Sequence, residues 1–192
     1  MESDIIKTLK DGKLVIMPTD TIYGIIGDAT NEDVINKVYE VKERPHDKPL
    51  LILVSNLSML HELVTEIPKE TEKIINKFWP GPLTILFKKS SKVSDALTAN
   101  SALVAIRMPK DKRLLNIMNH LNRPLISTSA NISSHDAITN PNQLEEKMKE
   151  KIDLIVDEGT VNNEASTLIT IVNGKIEILR EGSLTEKIRK LQ

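Results

Sequence analysis

Lys42, Arg44 and Lys48 lie in the stretch Lys42-Glu43-Arg44-Pro45-His46-Asp47-Lys48-Pro49-Leu50. Proline fixes its own φ and drives the residue before it out of the α region. Arg44 and Lys48 each precede a proline, so both are expected to be extended. They fall between a helix ending near Lys42 and an apolar strand from Leu50 to Val54. Three cations on a stiff connector at a sheet edge can hold a polyanion such as a nucleoside triphosphate. Val34, Val38 and Val41 recur at helical spacing, and Lys42, four residues beyond Val38, continues that apolar face. A cation placed there must snorkel, find an anion or face a polar cleft. A simple helix cap is the competing reading, because cations suit the negative end of the helix dipole.

Other strand ends carry polar chemistry too. Met17-Pro18-Thr19-Asp20-Thr21 follows a strand, and Thr19 and Thr21 alternate, which in extended chain points both hydroxyls the same way. A turn in which Thr and Asp satisfy backbone groups is the alternative. Ser127-Thr128-Ser129-Ala130-Asn131 follows another strand with four short hydrogen-bonding side chains, a composition suited to phosphate or carboxylate. Arg107 and Arg180 end strands, where a guanidinium can take an anion bidentately or form a surface ion pair. Ser166 opens the segment that leads toward Arg180. The chain has no Gly-x4-Gly-Lys-Ser/Thr phosphate loop, no Gly-x-Gly-x-x-Gly fingerprint and no Gly-x-Ser-x-Gly elbow.

Composition narrows the class. The 192 residues suit one domain, 1–192, with a full core. Net charge is −1, from 26 basic and 27 acidic residues, so no whole-chain basic excess marks a nucleic-acid binder. One tryptophan, two tyrosines and two phenylalanines are too few for a base-stacking platform. Cysteine is absent, which excludes disulfides, zinc fingers and thiolate catalysis, and the four histidines have no metal-ligand spacing. No apolar run reaches membrane-span length and no signal-peptide pattern opens the chain, so the expected location is cytoplasmic.

Periodicity predicts alternating elements. Strands are expected at Lys13 to Met17, Ile22 to Gly27, Leu50 to Val54, Leu83 to Phe87, Leu103 to Ile106, Pro124 to Ser127, Leu154 to Val156, Ser166 to Val172 and Lys175 to Leu179. Helices are expected at Ile5 to Leu9, Asn31 to Lys42, Asn56 to Val64, Lys69 to Phe78, Asp111 to Leu121, Asn142 to Lys151 and from Thr185 to the end. Asn173-Gly174 is a strong hairpin signal, so the sheet is mixed rather than purely parallel. The fold class is therefore α/β, a mixed sheet with flanking helices.

In combination these segments resemble the YrdC-like family, the threonylcarbamoyl-AMP synthases. Pro18-Thr19-Asp20-Thr21-Ile22-Tyr23-Gly24 is similar to the family's Pro-Thr-Glu-Thr-Val-Tyr-Gly, and Lys42-x-Arg44-Pro45 with Pro49-Leu50 to its basic motif. Trp79-Pro80-Gly81-Pro82-Leu83-Thr84, Arg107-Met108-Pro109, Ser129-Ala130-Asn131, Ser166-Thr167 and Arg180-x-Gly182 follow in family order along nearly the whole chain. The resemblance implies a twisted YrdC/RibB-like sheet with a concave, positively lined cavity. It implies a nucleotidyltransferase that turns L-threonine, bicarbonate and ATP into L-threonylcarbamoyl-adenylate and pyrophosphate, with Mg2+ accompanying ATP. Partner proteins would pass the threonylcarbamoyl group to tRNA adenosine next to the anticodon.

By the same resemblance, Lys42 and Arg44 are the catalytic cations. Arg44, Lys48, Ser129, Asn131 and Arg180 contact ATP, while Thr21, Arg107, Ser127 and Ser166 form the threonine pocket, Arg107 taking the carboxylate. No protein metal cage is implied. Two departures stand out: Leu53 occupies a place where some relatives have a pocket histidine, and Ala137-Ile138-Thr139 replaces a serine and Pro-Thr pair. The rival readings are an RNA-binding or ribosome-assembly protein using the same cavity, with weak RNA affinity, and a carbamoyl-transfer domain. The latter kind normally sits in chains with cysteine-rich zinc modules.

Overall fold

The structure is a computed structural model and describes residues 1–191. Nine strands form one sheet: β1 Val15–Pro18, β2 Tyr23–Asp28, β3 Leu51–Leu53, β4 Leu83–Lys88, β5 Leu103–Arg107, β6 Leu125–Ser129, β7 Leu154–Ile155, β8 Thr167–Val172 and β9 Lys175–Arg180. The helices are α1 Glu2–Lys10, α2 Glu32–Val41, α3 Leu57–Leu63, α4 Lys69–Phe78, α5 Asp95–Thr98, α6 Lys112–Leu121, α7 Glu146–Lys149 and α8 Thr185–Arg189. Strand order is β7-β1-β2-β6-β3-β5-β4-β8-β9. The pairs β1/β7, β3/β5 and β4/β8 are parallel and the others antiparallel, so the sheet is mixed as the closing hairpin required. In that hairpin Asn173 and Gly174 both have positive φ, the geometry of a type I′ turn.

One face of the sheet is apolar from end to end. Ile126, Ile52, Ile106, Ile85 and Ile169 are successive cross-strand neighbours over five strands, each 2 % exposed or less. Such β-branched ladders pack tightly on a pleated surface. Val34, Ile35 and Val38 of α2 cover them together with Leu60 of α3 and Ile75 of α4. Asn31 caps α2 by accepting from the Asp33 and Val34 amides.

The other face divides in two. Over one half, Ile5 and Leu9 of α1 and Leu114, Ile117 and Met118 of α6 bury Val15, Met17, Ile26, Leu53 and Leu125. Over the other half no helix packs among the described residues, and the strands present Gly24, Leu51, Thr84, Ala105 and Ser127 to a cleft. Because side chains alternate along a strand, one step of two residues crosses from core to cleft. Ile26 to Gly24, Leu53 to Leu51 and Leu125 to Ser127 are three such steps.

Several expectations shift. The strand expected to end at Ser127 continues to Ser129, pairing Gly24 with Ser129 and Ile26 with Ser127. The helix expected over Asn142 to Lys151 is a 3-10 turn, Pro141–Gln143, then the short α7, because Leu144 and Glu145 are extended between them. Asn140 and Gln143 form a capping box at the start of the first turn. The short α5 was not expected, and α8 stops at Arg189; residue 192 lies outside the described residues. Thr19–Ile22 is the turn of the β1/β2 hairpin rather than extended chain.

The link from β7 to β8 passes six intervening strands with no helix or strand of its own. Tyr23 fastens it, its hydroxyl donating to the Gly159 carbonyl at 2.8 Å and accepting from the Glu158 amide at 3.1 Å. Val161 N–H donates to Thr139 O at 2.8 Å, joining this strap to the loop after β6.

Candidate active site

The cleft on the uncovered half has a volume of about 620 Å³. Nine of the ten predicted site residues line it: Arg44, Lys48, Ser129, Asn131 and Arg180, with Thr21, Arg107, Ser127 and Ser166. The tenth, Lys42, does not; it lies beneath the floor, 1 % exposed.

Lys42 ends α2, and Arg44 N–H reaches back to Tyr39 O while Glu43 N–H reaches Glu40 O. That is the Schellman pattern, with Glu43 rather than glycine at the left-handed position (φ 47°). The lysine side chain runs into the fold, where Nζ donates to Ser129 O at 2.6 Å, Asn131 O at 2.8 Å and Asn131 Oδ1 at 3.0 Å. Ser133 N–H donates to Lys42 O at 2.8 Å, so the helix end and the loop after β6 are stitched at both levels. Three oxygens match the three N–H donors of an ammonium. Burial first, then the nearby Arg44 charge, pulls its pKa down to about 7. The sequence left a cation on this apolar face three choices, and the structure uses a fourth, neutral carbonyl and amide oxygens.

Arg44 spends two donors on its own connector, Nε to Lys48 O at 3.0 Å and Nη2 to Pro49 O at 2.9 Å. Tyr39 Oη also donates to Lys48 O, at 3.0 Å. The connector is thus closed into a rigid loop with the remaining guanidinium edge and Lys48 on the cleft. Burial lowers the Arg44 pKa, with Tyr39 and Asp47 opposing. Across from it, Ser129 Oγ donates to Asn131 Oδ1 and Asn131 Nδ2 to His135 O. These bonds fix the amide orientation.

A second basic group sits at the other end. Arg107, 2 % exposed, donates from Nη1 to Asp20 Oδ1 at 2.9 Å, and Asp20 Oδ2 accepts from Lys110 N–H at 2.8 Å. Burial pulls the Arg107 pKa below the ordinary arginine range, and Asp20 opposes that. Arg180 donates from Nε and Nη2 to Ser166 O and from Nη2 to Ser166 Oγ. Its pKa is lowered by burial and then by Arg107, and both guanidiniums line the cleft. Ser166 Oγ also lies 2.7 Å from Thr84 Oγ1. Gly182 makes this possible, because a Cβ there would collide with the Ala165 carbonyl and the Ser166 backbone. Arg180, assigned to ATP from the resemblance, is therefore built into the same group as Arg107 and Ser166.

Sequence reading missed Asp20 and Thr84, although both lie inside motifs it used. Asp20 reads as a turn residue, and its partner Arg107 is 87 positions away, which no local pattern reveals. Thr21 sits beside the pair, with Thr19 Oγ1 2.9 Å from Thr21 Oγ1 and donating to Ile22 O at 2.8 Å. Leu53 is fully buried under α6, away from the cleft, whereas Ala137 does line it. Among the described residues no group of three His, Cys, Asp or Glu side chains could hold a metal ion, and no helix is long and apolar enough to cross a membrane.

A family model described as Sua5/YciO/YrdC, telomere recombination, matches residues 7–182. The chain is 36 % identical over 185 residues to a threonylcarbamoyl-AMP synthase of Pyrococcus abyssi, covering 95 % of this chain and 54 % of that protein. A Bacillus subtilis protein of the same name is 32 % identical over 181 residues, 93 % of this chain and 52 % of its own length. The chain thus spans about half the length of these two relatives, and 83 % of a third from Methanocaldococcus jannaschii that is 37 % identical. Among solved structures, P. abyssi Sua5 complexed with L-threonine superposes with a TM-score of 0.92 at 35 % identity, covering 99 % of this chain and 56 % of that one. Escherichia coli YciO shares the fold, with a TM-score of 0.84 at 17 % identity over 95 % of this chain and 90 % of that one.

Proposed function

Since the chain belongs to the Sua5/YciO/YrdC family, we propose that it condenses L-threonine, bicarbonate and ATP into L-threonylcarbamoyl-adenylate and pyrophosphate. The observation that carries this reading is the division of one cleft between two basic groups on the same sheet face. Arg107 and Arg180, steadied by Asp20, Ser166 and Thr84, suit the amino-acid carboxylate, with Thr21 and Ser127 beside them. Arg44 and Lys48 on the connector, facing Ser129 and Asn131, suit a triphosphate.

The chemistry asks little else of the protein. The threonine nitrogen takes up the bicarbonate carbon as a carbamate with loss of water. A carbamate oxygen then attacks the α-phosphorus in line, and the bond to the β,γ-bridged leaving group breaks to release pyrophosphate. Holding two anions together and offsetting charge on the phosphoryl group are the tasks of such a site. Arg44 can touch the phosphates directly. Lys42 acts through the loop it holds, because its three donors are already engaged by Ser129 and Asn131.

Magnesium fits this site as an ion carried on ATP. It takes oxygen ligands, and the cleft offers hydroxyls, one amide oxygen and the single carboxylate Asp136, too few for an all-protein cage. When bound it supplies charge neutralisation at the phosphates. The product would pass to proteins that modify tRNA adenosine next to the anticodon, in the cytoplasm.

Pyrophosphate release with ATP and bicarbonate tests the reading, run with and without L-threonine. Release that requires L-threonine is expected. Threonine-independent release, or none beside salt-dependent RNA binding, would sink it in favour of an RNA-binding role.

A further inference from the structure

The charges around the cleft do not balance. Arg44, Lys48, Arg107 and Arg180 line it, and the only carboxylate among the lining residues is Asp136, exposed in the loop after β6. Asp20 is committed, with one oxygen on Arg107 and the other on the Lys110 amide. Arg180 is held by Ser166 oxygens and Arg44 by backbone carbonyls, and among the described residues neither forms an ion pair. His135 also lines the cleft, with Nδ1 2.9 Å from Glu145 Oε1.

An amino acid entering this space brings a carboxylate the cleft is built for and an ammonium it is not. A positive charge near the ammonium opposes it, the more so where the cleft walls lower the effective dielectric constant. Arg44, Lys48 and Arg180 together outnumber Asp136 on the cleft wall and Asp47 beside Arg44, and favour the form carrying one proton fewer. That is also the form with a nitrogen lone pair, which carbamate formation requires.

We infer that the cleft binds L-threonine as its anion, with the amine neutral, and that the ammonium proton passes to solvent on entry. This inference rests on the function proposed above. It assigns to the cation excess the work a general base would otherwise do: the N–H bond of the ammonium breaks on binding, its electron pair stays on nitrogen, and the proton goes to buffer. The nucleophile is then ready before bicarbonate or ATP arrives.

Calorimetric titration of the whole chain with L-threonine tests it, without ATP, in carbon-dioxide-free buffers of different ionisation enthalpy at pH 8. The dependence of the observed heat on buffer gives the protons released. About half a proton or more per threonine is expected, and none for 2,3-dihydroxybutanoate, which keeps the carboxylate and replaces the amine by a hydroxyl. Release below about half a proton overturns the inference. Equal release by the hydroxy acid also overturns it, because the proton then does not come from the amine. If threonine-dependent pyrophosphate release is present while proton release is not, only this inference falls. If neither threonine binding nor threonine-dependent release occurs, the functional reading beneath it falls as well.

Discussion

The two halves of one sheet face share strands, register and twist, yet one is core and the other is cleft. On the covered half, Leu53 and Leu125 are adjacent on paired strands and both lie fully buried beneath α6. Two residues along the same strands, Leu51 and Ser127 face the cleft. The backbone cannot be the cause of the difference, since the ladder continues through both. Size and polarity differ at two of the three crossings, where Ile26 gives way to Gly24 and Leu125 to Ser127, while Leu51 stays apolar and still packs against the α1/α6 cluster at the boundary. The cations then stand around the cleft floor rather than on it, fixed from the flanks by α2, the β1/β2 turn and the end of β9.

This contrast can be tested by exchanging the properties of the halves. Leu53→Ala on the covered half should cost about 3 kcal/mol in chemical denaturation, through lost burial and a residual cavity. Its threonine KM should stay within about twofold of the parent. A large KM change at equal stability would show that the halves are not separable.

Lys42→Met probes the seam between them. Removing the donors to Ser129 and Asn131 should destabilise by about 1–2 kcal/mol, with turnover down by about a hundredfold from the loosened loop. The pH dependence is the sharper readout. The Lys42 pKa in the fold is about 7, below its ordinary 10.5, so between those values the unfolded chain holds the extra proton. Stability must therefore rise with pH from about 7 toward 10, as the penalty for burying the charge is relieved. Thermal melts of the parent should show that slope, and those of Lys42→Met should lose its share.

Filling the bare half should do the reverse of emptying the covered half. Ala105→Leu places a large side chain on the cleft floor, where Ala105 is half-buried and lines the open space. Stability should change by no more than about 0.5 kcal/mol, while threonine-dependent pyrophosphate release falls below detection. A stability loss above about 2 kcal/mol would mean this half is packed core after all.

The smallest effect is expected from Ser127→Ala. It removes one hydroxyl from the cleft wall and leaves the ladder intact. Melting temperature should be unchanged, and the threonine KM should rise roughly three- to tenfold, as for one lost hydrogen bond to substrate.

Much of this molecule is written locally. The isoleucine positions, the Asn31 cap and the Asn173-Gly174 turn depend on neighbours within a few residues, so alternation and capping chemistry expose them. The segment from 140 to 151 misled because its spacing looked helical, while extended Leu144 and Glu145 broke the run after one turn. Strand β6 outran its expected end at Ser127 because Thr128 and Ser129 look like loop residues by composition. The ladder with β2 holds them in place all the same.

The sequence by itself determined which side chains bear charge, which strands alternate, and that Lys42 continues the apolar face of α2, with an inward cation and a plain helix cap both open. Only the tertiary structure decided what Lys42 meets there. Its oxygens come from residues 87 and 89 positions away, and Asp20 reaches Arg107 across 87. Propensity and periodicity act over a few residues, whereas a buried cation must be satisfied by whatever the packed sheet brings beside it. That placement is a property of the whole fold, and it is what separates the lysine that holds the loop from the arginines that face the cleft.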